Sequence, residues 1–259
     1  MLTIEPISAF QDNYIWLLQG QSEGGVAVVD PGDEQPVLEL LERRGEVLAA
    51  IMITHKHGDH TGGIAGLLEA FPGVPVFGPA NEPIGLVDWP LTEGDVVAVP
   101  GPDMAFTVLE VPGHTEGHIA YYGAGVLFCG DTLFAGGCGR VFSGTHRQLN
   151  RSLQRIAALP PETRLYCAHE YTADNLGFAR WVEPDNPYLL ERQSDTARAR
   201  SRGEPTVPSS LQLELRTNPF LRTGEPAVIA AAERYAGTRL ANGEAVFTAI
   251  RNWKDREYD

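Results

Sequence analysis

The chain has 259 residues, 43% of them apolar and 21% charged, which suits one large globular domain, or one domain with a smaller companion, and a sizeable core. Its net charge of −14 weighs against nucleic acid or an anionic membrane surface as a partner. No apolar run approaches the ~20 residues of a membrane helix, and residues 1–10 carry Glu5 and no basic residue, which is not the pattern of a signal peptide.

Up to about Tyr171 short β-rich runs dominate, at 2–7, 14–18, 26–29, 50–53, 74–77, 96–99, 106–111, 119–122, 126–129 and 165–167. Turn residues such as Asp30-Pro31-Gly32-Asp33 and Pro112-Gly113 punctuate them. Helical periodicity falls between some of them, at 34–43, 64–71 and 149–159; the first brings Val37, Leu38, Leu40 and Leu41 onto one face. Strands interleaved with helices imply two mixed sheets with helices packed outside. Beyond Tyr171 the texture becomes helical, at 175–182, 187–202, 209–216, 226–235 and 244–253, with a Pro-rich connection at 203–208. Ser209 and Ser210 are cap candidates for one of these helices, Thr223 with Pro226 for the next. The expected domains are 1–173 and a helical 174–259.

Three cysteines, Cys129, Cys138 and Cys167, cannot all pair and lack a Cys-x-x-Cys spacing, which predicts reduced thiols in a cytoplasmic protein. Cys129 and Cys167 lie inside apolar runs, as core residues do.

The densest chemistry is Thr54-His55-Lys56-His57-Gly58-Asp59-His60, directly after the apolar run 47–53. Four of its seven residues are metal donors, and three of the chain's seven histidines fall inside it. His-x-His sets both rings on one side of an extended backbone, and Asp59 and His60 are expected after a turn at Gly58. His114, Asp131 and His169 each stand just after another strand-like run. Donors spread over several strand ends are what a preorganised site on a rigid sheet requires. Alone, each of these three reads as an ordinary structural or turn residue. Together with the run they form a seven-donor set, more than the three or four ligands one ion takes.

These residues resemble the metallo-β-lactamase superfamily, through Thr54-His55-x-His57-x-Asp59-His60, Pro112-Gly113-His114-Thr115, Gly130-Asp131-Thr132 and His169. Asp12-Asn13-Tyr14, Gly136-Gly137-Cys138-Gly139-Arg140, Ala168-His169-Glu170-Tyr171-Thr172, Asn218-Pro219-Phe220-Leu221-Arg222 and Arg251-x-x-Lys254-Asp255 narrow the resemblance to the glyoxalase II branch, the hydroxyacylglutathione hydrolases. The resemblance spans nearly the whole chain. It implies an α/β fold, an αββα sandwich of two mixed sheets, with a C-terminal helical domain. It implies two divalent metal ions: His55, His57 and His114 on the first, Asp59, His60 and His169 on the second, Asp131 bridging. Zinc is the default, with iron or manganese as substitutes. Two adjacent ions lower the pKa of a bridging water enough to supply hydroxide near neutral pH, and one polarises the substrate carbonyl. Asp59 and Asp131 are then the catalytic carboxylates, and a thiolate leaving group, its thiol of pKa ~8.5, needs no separate acid. Asp30 is the candidate to hold an imidazole through its second nitrogen, and reads equally as a turn residue before Pro-Gly.

By the same resemblance, Arg140, Arg251 and Lys254 hold the glycine carboxylate of glutathione and Tyr171 lies near its sulfur. Phe142 stands where relatives can carry Tyr, so that a hydroxyl contact is missing. Read without the family, Arg251 and Lys254 are a solvated helix end. His118 is expected to be structural and buried, His146 has no assigned role, and the four tryptophans are read as packing residues.

The activity implied is hydrolysis of S-D-lactoylglutathione to D-lactate and glutathione, the second step of methylglyoxal detoxification, by a cytoplasmic monomer. Competing readings are a lactonase, a β-lactamase or a persulfide dioxygenase of the same fold, and a non-enzymatic metal-binding module. Asp131, where many β-lactamases use Cys, and the basic end of the chain argue for the thioesterase.

Overall fold

Three antiparallel strands, β1 (Thr3–Ala9), β2 (Asn13–Gln19) and β3 (Val26–Val29), open a mixed sheet. β4 (Leu48–Met52), β5 (Val76–Pro79) and β6 (Trp89–Leu91) extend it in parallel. Parallel neighbours need crossovers, and helices supply two of them. α1 (Gln35–Arg44) joins β3 to β4, and α2 (Gly58–Thr61) and α3 (Ile64–Ala70) join β4 to β5. Ile15, Leu17, Val28 and Ile51 of the sheet share one core cluster with Val37 and Leu41 of α1 and Ile64 and Leu67 of α3. Each such aliphatic side chain contributes about 1.5–3 kcal/mol by leaving water.

β7 (Val96–Val99), β8 (Met104–Glu110), β9 (Ile119–Gly123) and β10 (Val126–Gly130) form an antiparallel set. The β9–β10 hairpin closes on Ala124 (φ 51°) and Gly125 (φ 75°), the double left-handed turn that matches strand twist. Phe106 and Phe128 meet edge to face behind it, 5.8 Å apart.

These elements make up one of two compact units, Met1–Glu110 with Thr115–Gly130; the other is Val111–His114 with Asp131–Asp259. The computed structural model describes residues 2–20 and 24–258. The second unit holds the hairpin β11 (Leu133–Phe134)–β12 (Gly137–Cys138) and the antiparallel pair β13 (Arg164–Cys167)–β14 (Ser209–Ser210). Its helices are α4 (His146–Ala157), α5 (Thr172–Val182), α6 (Pro187–Ser201), α7 (Leu211–Thr217), α8 (Pro226–Ala236) and α9 (Gly243–Trp253), the last continuing into a π-helical turn, Lys254–Tyr258. Thr145, Asn186, Ser210 and Asn242 cap four of them by accepting from backbone N–H groups of the first turn.

Three local expectations are revised. Gly58 is not a separate turn ahead of Asp59 and His60; it opens the one-turn helix α2 that contains them, in which His60 N and Thr61 N donate to the carbonyl of His57. Ser209 is not helical but pairs with Leu165 in β14, so α7 begins two residues later than its periodicity implies. Glu225, not Thr223, occupies the cap position before Pro226. No helix among the described residues is long and apolar enough to cross a membrane.

Candidate metal centre

In the first unit the donor run leaves β4 through Ile53 and Thr54 and ends in α2. His57 keeps an extended backbone (φ −63°, ψ 148°), and Nε2 of His55 and Nδ1 of His57 converge to 3.0 Å. The His55 ring also lies 4.1 Å from that of His60, centre to centre. Donor atoms of His55 and His60, and of Asp59 and His60, lie within 4.8 Å of each other. His55 and His60 are fully buried, whereas the Asp59 carboxylate is 42% exposed.

A chain of hydrogen bonds fixes the ring tautomers. Asp30, buried and held at φ +54°, accepts from Thr54 N (2.8 Å), Thr54 Oγ1 (2.7 Å) and His60 Nδ1 (3.0 Å). The single Thr54 hydroxyl proton goes to Asp30, so Thr54 Oγ1 accepts from His55 Nδ1 at 3.1 Å. Both imidazoles therefore present Nε2 as a lone pair, the arrangement that metal-binding histidines use. Asp30 is thus both the strained turn residue and the orienting carboxylate.

Residues outside the run complete its support. Asn13 Nδ2 donates to Asp59 Oδ2 (3.1 Å), and Tyr121 donates its buried hydroxyl to Ile53 O (2.8 Å). Burial and the nearby Asp30 charge raise that phenol well above its ordinary range, so it stays a donor. Glu82, buried, accepts from Gly117 N (3.0 Å) and stands 3.5 Å from Lys56 Nζ. Gly32 is required by close approach: a Cβ there would sit 1.9 Å from the Asp59 carbonyl oxygen. His118 is buried, as expected, and stacks on His55 at 4.6 Å. Tyr121 and Glu82 belong to no motif whose spacing announces a role, and the segment Asp12-Asn13-Tyr14 does not by itself point Asn13 at Asp59.

In the second unit Asp131, His114 and His169 come together and are all buried. The two Asp131 oxygens divide between the rings: Oδ2 lies 3.5 Å from His114 Nε2 and Oδ1 lies 3.4 Å from His169 Nε2. A carboxylate spread this way has the form of a bridging ligand. His114 Nδ1 donates to the Arg140 carbonyl at 2.7 Å, which leaves its Nε2 facing Asp131. Gly139 makes this possible, since a Cβ would meet Asp131 O at 2.0 Å and His114 Nδ1 at 3.0 Å. The His169 ring stacks on Tyr171 (4.6 Å, 6°) and meets Phe134 edge-on. Imidazole nitrogens held in one tautomer beside carboxylate oxygens are a donor set for divalent metal, so the residues fit such ions in both units.

The substrate-side candidates also fall in the second unit. Phe142 is exposed and sets its ring edge-on to His114 at 5.1 Å. The Arg140 side chain is 54% exposed, whereas Arg251 is fully buried and Lys254 nearly so, its Nζ 5.8 Å from the centre of the Tyr258 ring. Arg251 Nη1 donates to Cys138 O (3.1 Å) and Nη2 to Asp255 Oδ1 (2.8 Å). The solvated helix end that spacing alone allows is therefore excluded for Arg251. All three cysteines are free and buried. Burial pushes the Cys138 thiol up to about 11, against the pull of Arg251, and the Cys167 thiol up to about 12. Both stay protonated near neutral pH. Burial also lowers the half-buried His146 from its ordinary value.

The profile described as the metallo-beta-lactamase superfamily matches residues 10–169, and that of the hydroxyacylglutathione hydrolase C-terminus matches 170–257. A hydroxyacylglutathione hydrolase of Alkalilimnicola ehrlichii is 55% identical over 256 residues, covering 99% of this chain and 100% of its own. One of Nitrosomonas europaea is 50% identical over 255 residues, covering 98% and 96%. Among solved structures, TTHA1623 in a di-iron-bound form shares 28% identity at a TM-score of 0.58, over 85% of this chain and 100% of that one. ETHE1 from Myxococcus xanthus shares the fold at a TM-score of 0.67 and 23% identity, over 100% of this chain and 93% of that one. Two mixed sheets with helices and a helical C-terminal region accord with these matches. The chain belongs to the hydroxyacylglutathione hydrolase, or glyoxalase II, family of the metallo-β-lactamase superfamily.

Proposed function

We propose that the chain hydrolyses S-D-lactoylglutathione and related 2-hydroxyacylglutathiones to the free acid and glutathione. The match of residues 170–257 to the C-terminal region of hydroxyacylglutathione hydrolases carries this choice of substrate, because donor runs such as 55–60 serve many chemistries on this fold.

His55, His57 and His114 would hold one divalent ion, and Asp59, His60 and His169 a second, with Asp131 offering one oxygen toward each group. The split of the Asp131 oxygens between two imidazoles supports a shared carboxylate, and the closeness of His55 to both His57 and His60 supports adjacent ions. Zinc is the preferred occupant, with iron or manganese as substitutes, since the donors are imidazole and carboxylate alone. When bound, such a pair polarises a carbonyl and lowers the pKa of water.

The chain's own residues orient and hold. Asp30, Thr54 and the Arg140 carbonyl keep His60, His55 and His114 in the tautomer that offers Nε2. Asp59, held by Asn13 and partly open to solvent, takes the proton from the attacking water. The leaving thiolate needs no acid, and no such group is assigned. Tyr171 stacks on His169, and Phe142 packs against His114, so both flank the donors and shape the approach of the thioester. Arg140, with Arg251 and Lys254, balances the glycine carboxylate of glutathione within an acidic protein. On this reading residues 1–173 carry the chemistry and 174–259 bind substrate, in a cytoplasmic monomer without nucleic-acid or membrane partners.

Thiol release from S-D-lactoylglutathione by the metal-loaded protein tests the proposal. Steady turnover that stops on chelation is expected. Absence of thiol release at full metal occupancy overturns it.

A further inference from the structure

Arg140, Arg251 and Lys254 bring three positive charges to one part of the second unit, and a guanidinium buried as fully as that of Arg251 needs a counter-charge. Asp255 supplies it. The turn that continues α9 places Asp255 four residues beyond Arg251, and Arg251 Nη2 donates to Asp255 Oδ1 at 2.8 Å. The same oxygen lies 3.9 Å from Arg140 Nε, at the outer limit of an ion pair. The two arms differ in kind. The Arg251 arm is a buried hydrogen bond, whereas the Arg140 arm joins a 54% exposed guanidinium to a 31% exposed carboxylate. Cys138, which accepts from Arg251 through its carbonyl, adds no negative charge because its thiol remains protonated.

We propose that Asp255 is a built-in competitor for the substrate carboxylate: it occupies the anion position that Arg140 offers, and a glutathione carboxylate reaches Arg140 by displacing that arm while the Arg251–Asp255 bond persists. This deepens the reading of Arg140 as a glutathione-carboxylate contact and rests on it. The carboxylate concerned is remote from the thioester and is carried by substrate and product alike. Binding it tightly would deepen the ground state and hold the product, without favouring the transition state. A resident carboxylate on Arg140 weakens both complexes equally and speeds release of glutathione. Asp255 is thus a specificity-determining residue, not a catalytic one.

The test compares inhibition of the metal-loaded enzyme by glutathione and by glutathione amidated at its glycine carboxylate. In the native protein Asp255 offsets most of the gain from that carboxylate, so amidation weakens inhibition by about two-fold or less. Asp255→Asn keeps an oxygen for Arg251 Nη2 and removes the competing charge. Its inhibition by glutathione is expected to tighten, and the amidation penalty to grow to about five-fold, the upper end of the scale of a half-exposed ion pair. Asp255→Ser, read the same way, replaces Asp255→Asn if the latter does not fold. An amidation penalty unchanged between native and variant protein, or weaker glutathione inhibition in the variant, overturns the competitor role and leaves Asp255 as the counter-ion of Arg251. Failure of the native enzyme to bind either inhibitor would instead sink the glutathione reading itself.

Discussion

Asp131→Ala is expected to lower kcat/KM for the glutathione thioester by roughly 10³-fold, the several kcal/mol that Lewis-acid stabilisation supplies. Metal content should fall with it. Asp131 is buried at the end of β10, and its two oxygens face different imidazoles, at 3.5 Å from His114 and 3.4 Å from His169. On the proposed two-ion reading, removing the carboxylate takes a donor from both ions at once, while the Arg140 carbonyl still holds His114 Nδ1. Elemental analysis and steady-state kinetics on one preparation decide the matter. Full metal content with activity within about ten-fold of native would contradict a bridging role.

The second large effect is expected at Asp30, a buried carboxylate outside the candidate donor set. Its carboxylate accepts three buried hydrogen bonds, two from Thr54 and one from His60. Asp30→Ala strands all three donors, and a buried network broken on one side costs about 3–5 kcal/mol. It also frees His60 to flip tautomer, and through Thr54 it loosens His55. Losing a partner of this kind typically costs 10–100-fold in metal affinity. Denaturant unfolding of the metal-free protein reads the first effect, and competition with a chelator reads the second. Asp30→Asn, which preserves the shape, should recover most of the stability while metal affinity stays low. Native metal affinity in Asp30→Asn would show that the charge on this residue is not what orients His60.

The candidate donors were legible in the sequence because four of them are neighbours and the other three follow strand-like runs. A strand's end fixes position whatever the packing around it, so His55, His114, Asp131 and His169 announce themselves. The supporting residues do not. Asn13 reaches Asp59 across 46 positions, and Tyr121 reaches Ile53 across 68. Neither has a periodicity that betrays the pairing. β6, β11 and β12 are two or three residues long and exist through pairing rather than propensity, so no apolar run marks them. Ser209 reads as helix from its neighbours, yet β13 claims it for the sheet. Spacing alone reads Arg251 and Lys254 as a solvated helix end, yet both are buried, because the turn that follows α9 and the carboxylate of Asp255 decide it, and neither is a property of residues 251 and 254.

Thioesterase chemistry directed at glutathione separates this chain from other enzymes on the same fold, and a ranking of kcat/KM of the metal-loaded protein for S-D-lactoylglutathione, a lactone and a β-lactam under one condition reads it. The thioester should lead both by at least about 10²-fold, since only its leaving group departs as a thiolate without an acid. A lactone or β-lactam turned over as well as the thioester would contradict the account.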